Sequence, residues 1–389
     1  MTTNQDLALS RAVELVVSKA AGRPVTIASM QRLNDPDSRS EVFRCVAAAG
    51  APPDSYVLKK TKLASLSIEN QEDNEARRFI NDWIGAEFLS SIPLEPPIGP
   101  RFYGGDLALG LYVMEDLGEH QSLVGPLLHG SAAEAETTLL RYSALIGRLH
   151  ASTAGESARY AALFSAKLPG YKPFDNKTGG RDPDTGRVIA RLDQFGIPVT
   201  GALAAEIEAV TLAVLQPGPF RVYIHSDPCP DNIFDLGDQL RLIDFETGHF
   251  GHALIDAVYP RMIWPSCWCA SRLPAEVVTR MENRYRRELV RGCPPAQEDS
   301  VWETALVQAC GYALINTFDR PLEHALNEDH DWGIATVRQR ILSRMVAFID
   351  TSESFHRLPA LRGAASQLWP VLQARWPDTS PIPLYPAFA

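Results

Sequence analysis

Residues 222–248, VYIHSDPCPDNIFDLGDQLRLIDFETG, constrain the fold of this chain most strongly. The segment begins with a short apolar run at residues 222–224 and continues through a loop with two prolines. Two further apolar runs follow at residues 232–234 and 240–245, and the polar segment 235–239 separates them. Two apolar runs joined by a polar turn predict a β-hairpin. The sequence therefore predicts a strand, a loop and a small hairpin in succession.

This pattern brings three oxygen-bearing side chains to one end of the hairpin. With the turn centred near Asp238, Asn232 lies opposite Asp244, and Asp227 lies five positions upstream in the loop. A carboxylate beside an amide, without paired Cys or His, suits a hard cation such as Mg²⁺. A second carboxylate on a separate loop is free to accept a proton from a substrate hydroxyl. The alternative is that all three are plain turn residues, but their order and spacing favour the functional interpretation.

The same residues resemble the catalytic segment of protein-kinase-like phosphotransferases. The closer resemblance is to the aminoglycoside phosphotransferase and choline kinase family, whose pattern is H-G-D-x-H-x-x-N followed by I-D-F/W. Here the first part reads HSDPCPDN at residues 225–232 and the second reads LIDFE at residues 242–246. Ser226 stands for the usual glycine and Cys229 for the usual second histidine. These departures leave the proposed base and metal ligands in place.

The resemblance implies a role for each of the three side chains and a fold for the whole chain. Asp227 would be the catalytic base, and Asn232 and Asp244 would bind one or two Mg²⁺ ions that accompany ATP. The implied fold class is α+β, bilobal and protein-kinase-like. A small N-terminal lobe with an antiparallel sheet and a helix, residues 1–117, would bind the nucleotide. A larger, mainly helical lobe, residues 118–389, would carry the catalytic and substrate-binding groups.

A lysine near the N-terminus is assigned to the phosphates of ATP. Lys59 ends the apolar strand predicted at residues 56–60, and a lysine is unusual there unless its charge is used or it lies at a strand edge. By resemblance it would hold the α- and β-phosphates. Its carboxylate partner on the following helix is assigned first to Asp82 and second to Glu75.

The loop over the phosphates is expected at residues 34–40. This loop contains no glycine, so Ser38 and Ser40 would contact phosphate oxygens by analogy only. An ordinary polar hairpin loop is an equal alternative.

The hinge that binds adenine follows two predicted antiparallel strands at residues 101–106 and 109–114. The resemblance places the backbone groups that hydrogen-bond the base between Glu115 and Leu117. Met114 would lie behind the purine.

Outside these motifs, apolar residues at helical spacing predict helices at residues 7–19, 132–152 and 203–215. Residues 171–198 are rich in Gly, Asp, Pro and Lys and are expected to form an irregular loop. The resemblance implies that the acceptor pocket lies in the C-terminal region, where residues 264–273 would form one wall.

A further acid and three histidines are also interpreted through the resemblance. Asp256 matches the last acid of the family's G-D-P-x-x-D pattern, whose expected role is to brace the catalytic loop by hydrogen bonds. A helix N-terminal acid is the alternative for it. His252 replaces the first acid of that pattern, and His150 is expected to be a structural residue at a helix end. His225 is expected to hold the loop.

Composition narrows the class of protein and of partner. A formal net charge of −10 and a pI near 5.4 argue against nucleic-acid binding, which needs a basic surface. The same charge is compatible with a cationic small substrate. No stretch approaches the ~20 apolar residues of a membrane helix, and the N-terminus lacks the basic start of a secretory signal. A cytoplasmic location without membrane contact is expected, and nothing in the sequence indicates an oligomeric state.

Six cysteines are scattered without a disulfide framework, which fits a reducing compartment. Cys267 and Cys269 are the only close pair. A zinc site there would need two more ligands at recognisable spacing, so ordinary buried or reactive thiols are favoured.

The predicted function is ATP-dependent transfer of a phosphoryl group to a hydroxyl of a small molecule. An aminoglycoside or other antibiotic, an amino alcohol and a sugar are all open as acceptors, as is GTP in place of ATP. Acids at residues 319–331 would suit the amino groups of a cationic acceptor, although a solvated acidic face is the commoner meaning of such a run.

Two alternatives differ in class. A catalytically weak nucleotide-binding pseudokinase with a regulatory role is motivated by the glycine-free loop and by the uncertain partner of Lys59. A protein kinase is disfavoured because no long activation segment follows the D-F motif.

Overall fold

The computed structural model describes residues 4–48, 53–63, 66, 73–119, 121–171 and 183–389. Their contacts divide the chain into two units. The first unit comprises Met1–His120, Ala158–Phe174 and Phe234–Gly248, and the second comprises Gln121–Ser157, Asp175–Ile233 and His249–Ala389. The segment 222–248 is thereby divided, since Asp227 and Asn232 belong to the second unit and Asp244 belongs to the first.

Most of the strand residues lie in the first third of the described chain, and helices dominate the rest. The strands are β1 (Ile27–Arg32), β2 (Ser40–Ala47), β3 (Ser55–Thr61), β4 (Phe102–Asp106), β5 (Leu111–Glu115), β6 (Gln121–Ser122), β7 (Arg221–Ile224), β8 (Ile233–Asp235), β9 (Leu240–Leu242), β10 (His249–His252), β11 (Asp331–Trp332) and β12 (Ala335–Thr336). The helices are α1 (Asn4–Ala21), α2 (Asn74–Ser90), α3 (Val124–His129), α4 (Ala132–Thr153), α5 (Ser157–Lys167), α6 (Thr185–Gln194), α7 (Gly201–Leu215), α8 (Leu254–Ala257), α9 (Ala275–Leu289), α10 (Asp299–Phe318), α11 (Arg320–Asn327), α12 (Val337–Phe355) and α13 (Pro359–Arg375).

The first unit is built on an antiparallel sheet with the strand order β1-β2-β3-β5-β4. Helix α1 packs on this sheet because its apolar stripe, with Val13 and Val17, joins Leu58 of β3 and Val113 of β5 in one buried cluster. Helix α2 begins after Asp73, whose side chain accepts hydrogen bonds from two backbone N–H groups of the first turn. The predicted α+β class with an antiparallel N-terminal sheet is confirmed.

The predicted hairpin is present as β8 and β9, which are neighbours in a small sheet. The N–H of Leu236 donates to the carbonyl of Gln239 at 2.9 Å, so the turn is centred between Gly237 and Asp238. Gly237 has φ +90°, a left-handed conformation that glycine adopts without a steric penalty. Strand β9 is shorter than the apolar run at residues 240–245, and β8 has the length of the run at residues 232–234 but begins one residue later.

The second unit consists mainly of helices whose first turns are set by polar caps. Ser131 and Glu134 form a capping box at the start of α4, in which each side chain bonds the other residue's backbone N–H. The side chain of Thr200 caps α7 in a similar way by accepting from the N–H of Leu203. The helices predicted at residues 7–19, 132–152 and 203–215 are confirmed as α1, α4 and α7.

Helix α6 corrects the expectation of an irregular loop at residues 171–198. Asp184 caps its first turn by accepting from the N–H of Arg187, and Val188 and Leu192, four positions apart, are buried. One i, i+4 pair and a cap are a weak sequence signal for a helix, and burial of the pair in the tertiary structure stabilises α6. Residues 172–182 of the same expectation lie outside the described residues.

Among the helices in the described part of the chain, none combines the length and the apolar character that a bilayer-spanning segment requires.

Helices α4 and α9 approach each other closely at Gly147. A Cβ atom added there would lie 2.7 Å from the carbonyl oxygen of Tyr285 and 2.6 Å from Cβ of Glu288. Such distances leave no room for a methyl group without a shift of α9. The helix pair therefore depends on the absence of a side chain at this position.

We expect Gly147→Ala to lower the free energy of unfolding by about 1–3 kcal/mol, because the methyl group overpacks the helix contact. Gly363→Ala in α13 is the matched control, since an added Cβ there meets nothing within 4 Å. That substitution should stabilise the protein by about 0.5–1 kcal/mol through helix propensity. Urea unfolding of both variants checks this, and equal effects from the two substitutions would contradict it.

Candidate active site

Lys59 lies between two carboxylates in the first unit. Its Nζ atom is 2.5 Å from Oδ2 of Asp82 and 3.1 Å from Oδ1 of Asp244. Burial by itself would lower the pKa of Lys59, but the charges of Asp244 and Asp82 outweigh it and raise that pKa well above its usual range. Glu75, the second candidate for a partner, lies instead 3.7 Å from Nε of Arg39. Asp82 is therefore the carboxylate on α2 that pairs with the lysine.

Asp82 holds more than the lysine. Its Oδ1 accepts the backbone N–H of Phe245 at 2.7 Å, and its Oδ2 accepts the hydroxyl of Tyr112 at 2.6 Å. The side chain is only 3% exposed, so these donors and Lys59 compensate the charge that burial leaves without water. Asp82 thus connects β3, β5 and the segment that follows β9.

Asp244 follows β9 with an unusual backbone conformation. Its φ of +64° is in the left-handed region, which costs a non-glycine residue on the order of 1 kcal/mol or more. The next residue is held on both sides from α2, because its N–H donates to Asp82 and its carbonyl accepts from Nδ2 of Asn81 at 3.0 Å. The side chain of Asp244 remains 35% exposed.

Asn81 and Arg78 were not identified from the sequence. Nδ2 of Asn81 also donates to the carbonyl of Gly248 at 2.6 Å, and Arg78 contacts Glu246 at 2.5 Å. Their positions on α2, one residue and four residues before Asp82, were the one sequence feature that could have indicated a role beside it. Both side chains fix the segment that carries Asp244.

The residues predicted to contact phosphate and adenine lie in the first unit. The N–H of Ser38 donates to the carbonyl of Asp35, and Ser40 begins β2. Met114 and Glu115 end β5, and Leu117 follows it by two residues. The assignment of these five residues to the nucleotide stays a prediction.

The loop at residues 225–232, in the second unit, is braced by the buried Asp256. Its two carboxylate oxygens accept the backbone N–H groups of His225 at 2.7 Å and Ser226 at 2.9 Å. Nε2 of His150 lies 3.2 Å from Oδ2, and Nδ1 of the same ring lies 2.7 Å from the hydroxyl of Tyr285. Burial would raise the pKa of Asp256, but the hydrogen bond and charge of His150 outweigh it and lower that pKa. The expected bracing role is confirmed.

Ser226 occupies the position where the family pattern has glycine, and it adopts the backbone conformation that glycine favours. Its φ is +64°, the conformation that glycine adopts without strain. Its N–H donates to Asp256, and its carbonyl accepts the hydroxyl of Tyr259 at 2.7 Å. These bonds hold a serine in the conformation for which glycine is the ordinary residue.

Asp227 lies in a set of local hydrogen bonds. Its Oδ1 accepts the hydroxyl of Ser266. Its carbonyl accepts Nδ2 of Asn232 at 3.0 Å, which commits the amide nitrogen and leaves the amide oxygen of Asn232 as a ligand atom. Ser266 was not identified from the sequence, because its neighbour in space is 39 residues away in the chain.

Cys229 and Cys267 form a disulfide, with their Cα atoms 5.5 Å apart. The expectation of six free cysteines is therefore wrong, and the physical reason is that spacing along the chain does not encode which thiols meet. Sγ of Cys229 lies 3.0 Å from Oδ1 of Asp227, but a disulfide sulfur carries no proton to donate. Within the described residues no group of three or more His, Cys, Asp or Glu forms a metal cluster, and Cys269 is a buried free thiol.

A cavity of about 370 Å³ lies within the second unit. Ser226 and Ser266 line it, together with Pro265, Tyr259 and side chains of α10. Pro265 and Ser266 belong to the segment 264–273, whose assignment to the acceptor pocket stays a prediction.

A family model described as a phosphotransferase enzyme family matches residues 37–291, well over half of the chain. The chain belongs to this phosphotransferase family. A comparison with curated proteins found no match.

Solved structures with a similar fold are kinases of small molecules by their names. A choline/ethanolamine kinase family protein from Mesorhizobium loti has 16% identity and a TM-score of 0.46, over 93% of this chain and 99% of that one. An ethanolamine kinase from Plasmodium vivax has 11% identity and a TM-score of 0.44, over 96% and 91% of the two chains. The aminoglycoside phosphotransferase APH(2")-IIa, in a ternary complex with streptomycin and ATP, has 15% identity and a TM-score of 0.45, over 92% and 99%.

The disulfide predicts a thiol count. Unfolded protein that has not met a reductant should show four reactive thiols, from Cys45, Cys269, Cys293 and Cys310, and six after reduction. Titration with a chromogenic disulfide reagent in denaturant measures this. Cys267→Ser is the control and should show five thiols under both conditions. Six thiols in the unreduced wild type would exclude the cross-link.

His252 predicts a pH dependence of stability. Burial, and next the charge of His150, lower the pKa of His252 to about 4, and its Nδ1 accepts the N–H of Leu254 at 3.2 Å. Below pH ~6.5 the unfolded chain binds a proton that the folded chain does not bind until about pH 4. The free energy of unfolding should therefore decrease by on the order of 3 kcal/mol as the pH is lowered from ~6.5 to about 4.

His252→Asn keeps an acceptor for the N–H two residues on and removes the titrating ring. We expect its urea midpoint to lack this part of the pH slope, although the lost ring lowers stability at every pH. His129→Gln, at an exposed position, is the control and should keep the wild-type slope. An unchanged slope in His252→Asn would show that the buried ring does not titrate as described.

Proposed function

We propose that this protein is an ATP-dependent O-phosphotransferase that transfers the γ-phosphate of ATP to a hydroxyl of a small molecule. The observation that carries the proposal is the pairing of Lys59 with Asp82 and Asp244, at 2.5 Å and 3.1 Å. Phosphoryl transfer depends on positioning and on neutralisation of charge, and this pairing holds an ammonium group beside a partly exposed acid. It also answers one of the two reasons for considering a pseudokinase, because the lysine has its carboxylate.

Mg²⁺ fits the donors that the chain offers. The amide nitrogen of Asn232 is committed to the carbonyl of Asp227, so its oxygen is the free ligand atom. Asp244 adds a carboxylate, and both are the hard oxygen ligands that Mg²⁺ takes. In our proposal these two residues hold the metal, which neutralises phosphate charge when bound. Lys59 then binds the α- and β-phosphates, and the backbone between Glu115 and Leu117 binds adenine, with Met114 behind the base.

Asp227 is proposed as the base. The hydroxyl of Ser266 donates to its Oδ1 and orients the carboxylate, so that Oδ2 is the oxygen proposed to accept the proton of the acceptor. Asp256 holds the backbone of the same loop through the N–H groups of His225 and Ser226. A carboxylate fixed in this way loses little orientation entropy during the reaction.

Asp227→Asn should lower turnover by about 10²–10⁴-fold, the usual contribution of a general base, and leave the affinity for Mg-ATP nearly unchanged. Asp244→Asn should weaken Mg-ATP binding as well as turnover. Asp238→Asn, an isosteric change at an exposed turn position of the hairpin, is the matched control. ADP release over a panel of alcohols, sugars and antibiotics gives turnover, and calorimetry gives nucleotide affinity. Full activity of Asp227→Asn would rule out the proposed base.

A further inference from the structure

The cavity of the second unit lies one hydrogen bond away from the proposed base. Ser266 lines the cavity, and its hydroxyl donates to Oδ1 of Asp227. The volume of about 370 Å³ is at the lower end of the range for pockets that bind small molecules, roughly 300–1,000 Å³. A molecule bound here would present its hydroxyl groups close to the side chain that is proposed to deprotonate one of them.

The charge of the lining disfavours cationic ligands. Among the described residues around the cavity, Asp319 is the single carboxylate, and Arg320 and Arg344 are guanidinium groups. Asp319 is buried, and Arg187 already pairs with it through Nε at 2.7 Å and Nη2 at 2.9 Å. It also accepts the N–H of Asp184 at 3.1 Å. Its charge is therefore compensated within the protein.

The other acids at residues 319–331, which suggested a cationic acceptor, do not line the cavity. Glu323 lies 3.5 Å from Nη2 of Arg191 and does not line the cavity. Arg344 is buried and donates to the carbonyls of Met262 and Pro265 at 3.2 Å and 2.9 Å. An ammonium group in the cavity would meet guanidinium charge and lose water, and Asp319, the carboxylate of the described lining, is already paired with Arg187.

An aromatic side chain supplies the apolar part of the lining. Trp332 lines the cavity and is 44% exposed, which is unusual for so large an apolar side chain. Its backbone is held firmly: its carbonyl accepts Nη2 of Arg340 at 2.6 Å. The next residue, Gly333, has φ +65° and lies so close to the carbonyl of Trp268 that an added Cβ would be 2.0 Å from its oxygen.

The ring of Trp332 already has a cation near it. The guanidinium carbon of Arg340 lies 5.7 Å from the ring centroid, a cation–π distance. A second cation stacked on this ring would be repelled by the first. The ring therefore favours an uncharged partner.

From the charge, the volume and the fixed aromatic side chain we infer that the acceptor is an uncharged, hydroxylated molecule with an apolar or ring face that packs on Trp332. This inference rests on the proposed function and names its substrate class. In the reaction the acceptor oxygen forms a bond to the γ-phosphorus, its proton goes to Asp227, and the bond from that phosphorus to the bridging oxygen breaks with its electron pair leaving on ADP.

Two matched probes test the charge preference. Phenyl β-D-glucopyranoside is uncharged, and phenyl 2-amino-2-deoxy-β-D-glucopyranoside differs from it by one amine; kanamycin serves as a polycation. Calorimetry at physiological ionic strength, on the full chain with Mg-ATP analogue present, should show the uncharged glycoside binding about tenfold tighter or more. Tighter binding of the amine or of kanamycin, or no binding of the uncharged probe, overturns the inference.

Two substitutions test the residues. Trp332→Ala should weaken the uncharged probe about tenfold and leave Mg-ATP affinity unchanged, whereas Val371→Ala, at an exposed apolar position of α13, should change neither. Arg320→Glu should shift the preference toward the amine, and a first-turn acid suits the start of α11. Unchanged binding in Trp332→Ala would overturn the assignment of the cavity.

The failure of this inference can be told apart from the failure of the proposed function. If an amine acceptor is phosphorylated best and Asp227→Asn abolishes that activity, the kinase assignment stands and the uncharged acceptor class is wrong. If the uncharged probe binds through Trp332 but Asp227→Asn affects no phosphorylation, the base is wrong and the ligand class of the cavity stands.

Discussion

The loop that carries the proposed base depends on hydrogen bonds to the buried carboxylate of Asp256. A charge with no exposure is costly unless donors surround it, and here the donors are two consecutive backbone N–H groups, with His150 beside the same carboxylate. The loop is thereby held in a conformation that includes Ser226 at positive φ. The hydrogen bonds to Asp256 offset the strain at Ser226. They thereby fix the position of the next residue, Asp227.

The first unit repeats this arrangement with different residues. Asp82 is buried and contacts Lys59, and it accepts the backbone N–H of Phe245, the residue after Asp244. In each unit, then, a buried acid holds the backbone, and a second, more accessible acid is the one proposed to act in the reaction. The buried acids Asp256 and Asp82 thus position the backbone near Asp227 and Asp244.

The loop at residues 262–268 is held from one side of α12. Arg340 donates to the carbonyls of Cys267 and Trp268, and Arg344, one turn further on, donates to those of Met262 and Pro265. Burial, and next the neighbouring charge of Arg340, lower the pKa of Arg344 to about 9. Arg344 lines the cavity, so a guanidinium group whose hydrogen bonds go to carbonyls places positive charge in the cavity wall. The proposed preference for an uncharged acceptor depends on this charge.

Strands β3, β4 and β5, helices α1, α4 and α7, the hairpin and the motif at residues 225–246 were predictable from the sequence, because each is encoded within a few residues by periodicity, turn residues or motif spacing. The tertiary structure decided what depends on residues distant in the chain: the choice of Asp82 over Glu75 for Lys59, the disulfide between Cys229 and Cys267, and the neutralisation of Asp319 by Arg187. Helix α6 also needed burial to complete a weak local signal. A side chain's partner is set by which surfaces meet on folding, and spacing along the chain carries no record of that.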